Sequence, residues 1–211
     1  MSEPYALVAR ITITPENLER WLDSTVPPAH TWADDWEAWW QFVGPVGGGS
    51  WGVWGDWSGT VRGVVLGLLD ERKDLGGIFS QSWYDEKTNV WRLLALELTE
   101  NCSQMIEYLT PFRAAAEFSE CSDDDYVAFT GCFYDGDAQY SLALAQFSEG
   151  GTAMLLDHAT PARVRIDIES QFAQVEKDNI ILPYRFEQTP PDGVPIIPED
   201  YIFPRIAGSS A

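Results

Sequence analysis

His30 and His158 are the two histidines of the chain, and neither stands where nucleophilic chemistry would need it. Covalent catalysis calls for a base held beside the nucleophile. His30 follows Pro27-Pro28 at an expected helix start, and His158 lies in Leu156-Asp157-His158-Ala159, ahead of Thr160-Pro161. No nucleophile elbow, zincin motif or Cys-His signature surrounds either one. Cys102, Cys121 and Cys132 are odd in number and lack CxxC spacing. That argues against a zinc ribbon or a disulfide scaffold and suits reduced thiols in a cytoplasm. Gly44–Ser50 is glycine-rich but lacks the Gly-Lys-Ser/Thr ending of a phosphate loop, so no phosphate cradle is expected. The reading at this point is of a chain with no catalytic residues, no cofactor and no metal.

What the sequence does carry is carboxylate. Thirty-three Asp and Glu face 13 Lys and Arg, a formal net charge of -20. A field of that sign repels nucleic acid and anionic lipid and attracts basic proteins, although an acidic surface also serves solubility alone. Two clusters stand out as candidate partner-binding residues. Glu117, Glu120, Asp123, Asp124 and Asp125 place five carboxylates within nine positions, and Asp34, Asp35 and Glu37 fall on the exposed side of a Trp-rich helix. Asp123-Asp124-Asp125 and Asp135-x-Asp137 supply hard oxygen ligands, but neither matches the twelve-residue calcium loop. They read as a solvated loop and a turn. Only three lysines are present and no basic stripe interleaves with the aromatics, so direct nucleic-acid binding is not expected. No apolar run approaches the ~18 residues of a membrane span. The first residues show neither a basic nor an apolar leader region, so no secretion signal is expected.

The elements that must position these groups read as follows. Tyr5–Ile13 alternates as an opening strand. Thr14-Pro15-Glu16 is a helix start, with a Thr cap and Pro at the first helical position. A helix is expected over Thr31–Val43, where Trp32, Trp36, Trp39, Trp40 and Val43 share one face. Trp51–Trp57 and Thr60–Leu69 read as a hairpin across Ser58-Gly59. Strands follow at Ile78–Tyr84 and Val90–Leu98, then a helix capped at Thr99 or Asn101 and disturbed by Thr110-Pro111. Further strands are expected at Tyr126–Tyr134 and Tyr140–Phe147, turned by Asp135-Gly136-Asp137. Ala162–Lys177 fits both periods, and Thr160-Pro161 favours helix. Ile180–Phe186 reads as a last strand, before a proline-rich tail that regular structure cannot accommodate.

Several residues recur fifty positions apart: Phe79, Tyr84, Asp85, Thr110, Pro111 and Arg113 return as Phe129, Tyr134, Asp135, Thr160, Pro161 and Arg163. The echo predicts a duplicated hairpin-helix unit at 76–125 and 126–178. A Trp-rich part at 1–75 precedes it, and a strand with a Pro-rich tail follows at 179–211. The expected architecture is one α+β domain over 1–211, a mainly antiparallel sheet with helices on one face.

Strong acidity, small size, an α+β pattern and the absence of a catalytic motif together resemble the immunity proteins that protect bacteria from secreted or contact-delivered toxins. The resemblance is one of class, carries no diagnostic motif and transfers no residue role. It implies a cytoplasmic, non-enzymatic inhibitor that occludes the active site of a cognate toxin or other basic protein, often a nuclease. Two other readings stay open. A DNA mimic would show the same charge, with carboxylates spaced like phosphates. A small-ligand binder would gather Trp32, Trp36, Trp39, Trp51, Trp54 or Trp57 around an open pocket.

Overall fold

A computed structural model of the chain describes residues 5–43, 52, 55, 57–70, 80–131, 141–149, 151–157 and 159–177. Strand β1 (Tyr5–Thr12) lies at the centre of a six-stranded sheet. Its alternation sends Leu7, Ala9 and Ile11 to one face and Ala6 and Val8 to the other, and both faces are buried. Around it stand β2 (Ser80–Asp85), β3 (Val90–Thr99), β4 (Tyr126–Gly131), β5 (Ser141–Ser148) and β6 (Gly151–Met154). The order is β2-β3-β1-β4-β5-β6 and every pairing is antiparallel. The chain is therefore α+β with an antiparallel sheet, as its pattern predicts. The edge strand β6 was not expected from sequence.

Helices α1 (Pro15–Leu22), α2 (Ala33–Val43), α3 (Val61–Asp70) and α4 (Cys102–Arg113) cover the Leu7 face. Helix α5 (Ala162–Lys177) covers the Ala6 face, burying Val164 and Ile168 against Ala6, Val8 and Leu94. The expectation of helices on one face thus holds for four of the five. Antiparallel strands that are apolar on both faces need cover on both.

Local signals explain most of the helices. Thr14 caps α1, its hydroxyl accepting from the Asn17 N–H at 3.3 Å, with Pro15 at the first position. A short 3₁₀ turn at Ala29–Trp32 leads into α2. Trp36 and Trp39 of α2 are fully buried, while Trp32, Trp40, Val43 and Trp57 pack at the margin of the same core. The tryptophan stripe is therefore core and not an open platform; Trp51 and Trp54 lie outside the described residues. Thr60–Leu69 corrects the expected hairpin: it is helix α3. Val61, Val64, Val65 and Leu68 are the buried positions, an i, i+3, i+4, i+7 stripe. That period outweighs the strand preference of valine, and Thr60 supplies the entry, its carbonyl accepting from the Val64 N–H.

Asn101 caps α4, accepting from the Ser103 N–H at 2.8 Å. Pro111 sits inside α4 without ending it. Proline there leaves the Glu107 carbonyl without its helical donor, and the Trp57 indole N–H supplies one at 2.8 Å.

The fifty-residue echo does not carry over into equivalent elements. Thr110-Pro111 lies in the last turn of α4, whereas Thr160-Pro161 precedes α5. In the first hairpin the second strand, β3, pairs with β1; in the second hairpin the first strand, β4, does. The two helices cover opposite faces, and among the described residues β6 has no counterpart in the first unit. Phe79, Tyr134 and Asp135 of the echo lie outside the described residues, as do the Asp135–Asp137 turn, Ile180–Phe186 and the proline-rich tail. Among the described residues no helix is long and apolar enough to cross a membrane.

Candidate functional site

The antiparallel register brings four segments to one end of the sheet. Thr12 pairs with Val90, Arg10 with Tyr126, Tyr126 with Gln146, and Ser148 with Gly151. The start of α1, the β2–β3 turn, the loop before β4 and the β5–β6 turn therefore share that end. Each contributes exposed carboxylates: Glu16 from the first, Glu86 from the second, Glu120, Asp123 and Asp124 from the third, and Glu149 from the fourth. Glu117, also exposed, ends the 3₁₀ turn (Ala114–Glu117) that opens the third segment.

Electrostatics reports the convergence directly. The Tyr84 hydroxyl donates to the Ile13 carbonyl at 2.9 Å. Its pKa is pushed up to about 12, first by burial and then by the charges of Glu120, Glu86 and Asp85. Those three carboxylates come from two distant segments yet act on one phenol. Asp85 lies below the usual carboxylate range because the Thr88 hydroxyl and the Lys87 N–H donate to it.

Of the five carboxylates singled out between 117 and 125, four are exposed and one is not. Asp125 is a correction: it is wholly buried, so it cannot meet a partner. Its carboxylate accepts from Arg10 Nη1 at 2.8 Å, the Thr12 N–H at 2.9 Å, the Thr12 hydroxyl at 2.8 Å and the Ser122 N–H at 3.1 Å. Burial pushes its pKa up against those hydrogen bonds. Asp125 acts as the anchor that staples the loop to the central strand. Its backbone joins in: the Asp125 carbonyl accepts from the Phe147 N–H, and Glu120 N–H donates to the Thr12 carbonyl. Cys121 adopts φ 50°, a left-handed conformation a non-glycine residue holds only when its surroundings impose it. The exposed Asp123 and Asp124 thus ride on a fixed backbone. Asp124 makes one loose pair with Arg163, 3.6 Å apart with both side chains about half exposed.

The second candidate cluster divides the same way. Asp34 and Glu37 are exposed on α2. Asp35 instead pairs with Arg113, whose guanidinium is fully buried between the rings of Trp32 and Trp36 at 4.8 and 4.4 Å. Arg113 also donates to the Thr152 hydroxyl and carbonyl of β6. Burial lowers its pKa to about 10, with Asp35 opposing the shift. This arrangement locks α2 to α4 and β6, so Asp35 serves the fold. The 3₁₀ turn ending at Glu117 also packs against β6, which places the two clusters on neighbouring elements.

A third group was not anticipated. The pairings Trp83–Arg92, Arg92–Arg10, Arg10–Tyr126 and Tyr126–Gln146 form one cross-strand row beneath α5. Adjacent arginines on one face repel. Asp167 of α5 sits over them, its Oδ1 3.0 Å from Arg92 Nη2 and 3.9 Å from Arg10 Nε. Its Oδ2 accepts from the Tyr126 hydroxyl at 2.9 Å and from Gln171 Nε2 at 2.7 Å. Burial and the nearby Asp167 charge hold the Tyr126 phenol well above its ordinary pKa.

His30 is exposed, Cys102 buried and Cys121 half-buried, while His158 and Cys132 lie outside the described residues. Among the described residues no cluster of His, Cys, Asp and Glu could hold a metal. No family model, curated protein or solved structure matches the chain.

Proposed function

We propose that this protein is a stoichiometric, non-enzymatic binder of the immunity type, which neutralises a basic protein such as a cognate toxin through the acidic end of its sheet. One observation carries the reading: exposed carboxylates from four separate segments gather at a single end, on backbone held by β ladders and by the Asp125 anchor. Carboxylates scattered for solubility alone would not need that anchoring. Fixed groups lose little freedom on binding, which conserves affinity. Their combined field speeds encounter with a basic surface, and a carboxylate desolvated against Arg or Lys can anchor an interface. Glu86, Glu120, Asp123 and Asp124 are the proposed contacts, with Asp34 and Glu37 extending the surface around β6.

The test compares two double charge reversals that change the net charge equally. Asp123→Lys with Asp124→Lys alters the acidic end. Asp157→Lys with Glu169→Lys alters exposed carboxylates elsewhere, and Glu169, like Asp124, gives up one loose pair with an arginine. Affinity for the protein captured from the native host should fall by a few kcal/mol in the first variant and by about 1 or less in the second. Equal effects would mean that overall charge, and not this end, drives binding. Capture of a nucleic-acid-binding protein in place of a toxin would move the reading to DNA mimicry.

A further inference from the structure

On the opposite face, away from the helices that bury the tryptophans, β2 and α5 enclose an open cleft of about 520 Å³ lined by Gln81, Trp83, Asp85, Arg92, Ser170, Gln171 and Gln174. That volume falls within the ~300–1,000 Å³ range of small-molecule sites. The period-two alternation of β2 puts Gln81, Trp83 and Asp85 on the same side, and Arg92 pairs across from Trp83.

The lining is polar but electrically quiet. Its one guanidinium, Arg92, is directed at Asp167. Asp85 is satisfied within its own turn by Lys87 and Thr88. The rest of the lining is an indole, three carboxamides and a hydroxyl. Two of the carboxamides are incomplete: the carbonyl oxygens of Gln81 and Gln171 are buried without a hydrogen-bond partner. Gln171 is only 2% exposed, and its amide nitrogen is held by Asp167 and by the Tyr126 hydroxyl at 3.1 Å. Those two bonds identify the nitrogen end of the amide, and the carbonyl is left over. A buried acceptor gains from a donor, and two such acceptors lie in the walls of this one cleft.

We propose that this cleft binds a neutral, hydroxyl-rich small molecule, a saccharide or polyol of one or two rings. Such a ligand brings O–H donors to the two carbonyls once the terminal amides turn slightly toward it. It accepts from the Ser170 hydroxyl and lays its C–H face on the Trp83 ring. A phosphate-bearing ligand would need uncommitted cations, which this lining does not offer in a chain of net charge -20. A purely apolar ligand would find little beyond Trp83 to pack on.

The experiment is ligand-observed and amide-detected NMR on the full chain, with glucose, galactose, N-acetylglucosamine, mannitol and maltose as probes. Adenosine and AMP serve as contrasts. At least one neutral saccharide or polyol should bind and shift the Trp83 indole and the glutamine side-chain signals. Its affinity should drop about tenfold or more in Ser170→Trp, which fills the cleft from an exposed helix position, and several-fold in Gln81→Leu. Asp123→Lys with Asp124→Lys should bind it unchanged, so failure here is separable from failure of the acidic-end reading. The proposal is overturned if no saccharide or polyol binds up to tens of millimolar. It is equally overturned if binding survives both cleft variants, or if adenosine or AMP binds more tightly.

Discussion

Replacing Asp167 with alanine would leave Arg10 and Arg92 side by side beneath α5 with their shared counter-charge gone. The wild-type carboxylate accepts three hydrogen bonds of 3.0 Å or shorter, from Arg92, the Tyr126 hydroxyl and Gln171. Removing one partner of a fully buried ion pair costs about 3–5 kcal/mol. The Asp167 side chain is 18% exposed and that of Arg92 20%, so water recovers part of this and the expected cost is about 2–4 kcal/mol. For a chain of this size that corresponds to a fall in Tm on the order of 10 °C. Arg10 keeps its Asp125 partner at 2.8 Å, so Arg92→Met in the same background removes the one stranded charge. The double variant should therefore be more stable than the sum of the single changes by about 1–2 kcal/mol. Urea denaturation followed by tryptophan fluorescence measures all four corners of the cycle. A single-variant cost below about 0.5 kcal/mol, or strict additivity, would refute the assignment of Asp167 as the group that holds the arginine row together.

Two further outcomes follow from the core and the acidic end. Trp57→Phe should cost about 1–2 kcal/mol by leaving the Glu107 carbonyl unpaired, and the cost should shrink when Pro111→Ala restores a helical N–H donor; an equal cost in both backgrounds would show that the indole bond is incidental. Stability should fall between about pH 10, where unfolded tyrosines ionise, and about pH 12, where folded Tyr84 does. The folded state holds that proton more tightly, so the loss accompanies rising pH, and Tyr84→Phe should flatten the pH dependence of the unfolding free energy across this window.

The elements that rest on local chemistry were legible in the sequence. The Thr14-Pro15 and Asn101 caps, the alternation of β1 and the Trp36–Trp39 stripe each depend on residues within a turn or two of one another. The α3 segment is valine- and glycine-rich and satisfies both periods over a short window, and only its burial against the core separates them. The acidic end was half visible. Its loop stands out as a run, but the contributions of Glu16, Glu86 and Glu149 depend on β1 lying between β3 and β4, a non-local pairing that no local pattern specifies. Asp125 looked like its neighbours Asp123 and Asp124. What distinguishes it is Arg10, 115 positions away, and an arginine in an otherwise apolar central strand was the available sign that a buried carboxylate must exist. Asp167 and Gln171 fall on the same helical stripe as Val164 and Ile168, so they too were readable as inward-facing once α5 was known to be a helix.

The most direct test of the acidic-end reading is the association rate with the captured partner protein, measured from low to physiological ionic strength. Exposed charges are screened beyond ~8–10 Å at physiological salt. The wild-type rate should therefore fall steeply, and Asp123→Lys with Asp124→Lys should both slow association and flatten that dependence. The Asp157→Lys, Glu169→Lys control should stay close to wild type. A wild-type rate insensitive to salt, or two variants with the same slope, would contradict a partner steered to this end of the sheet.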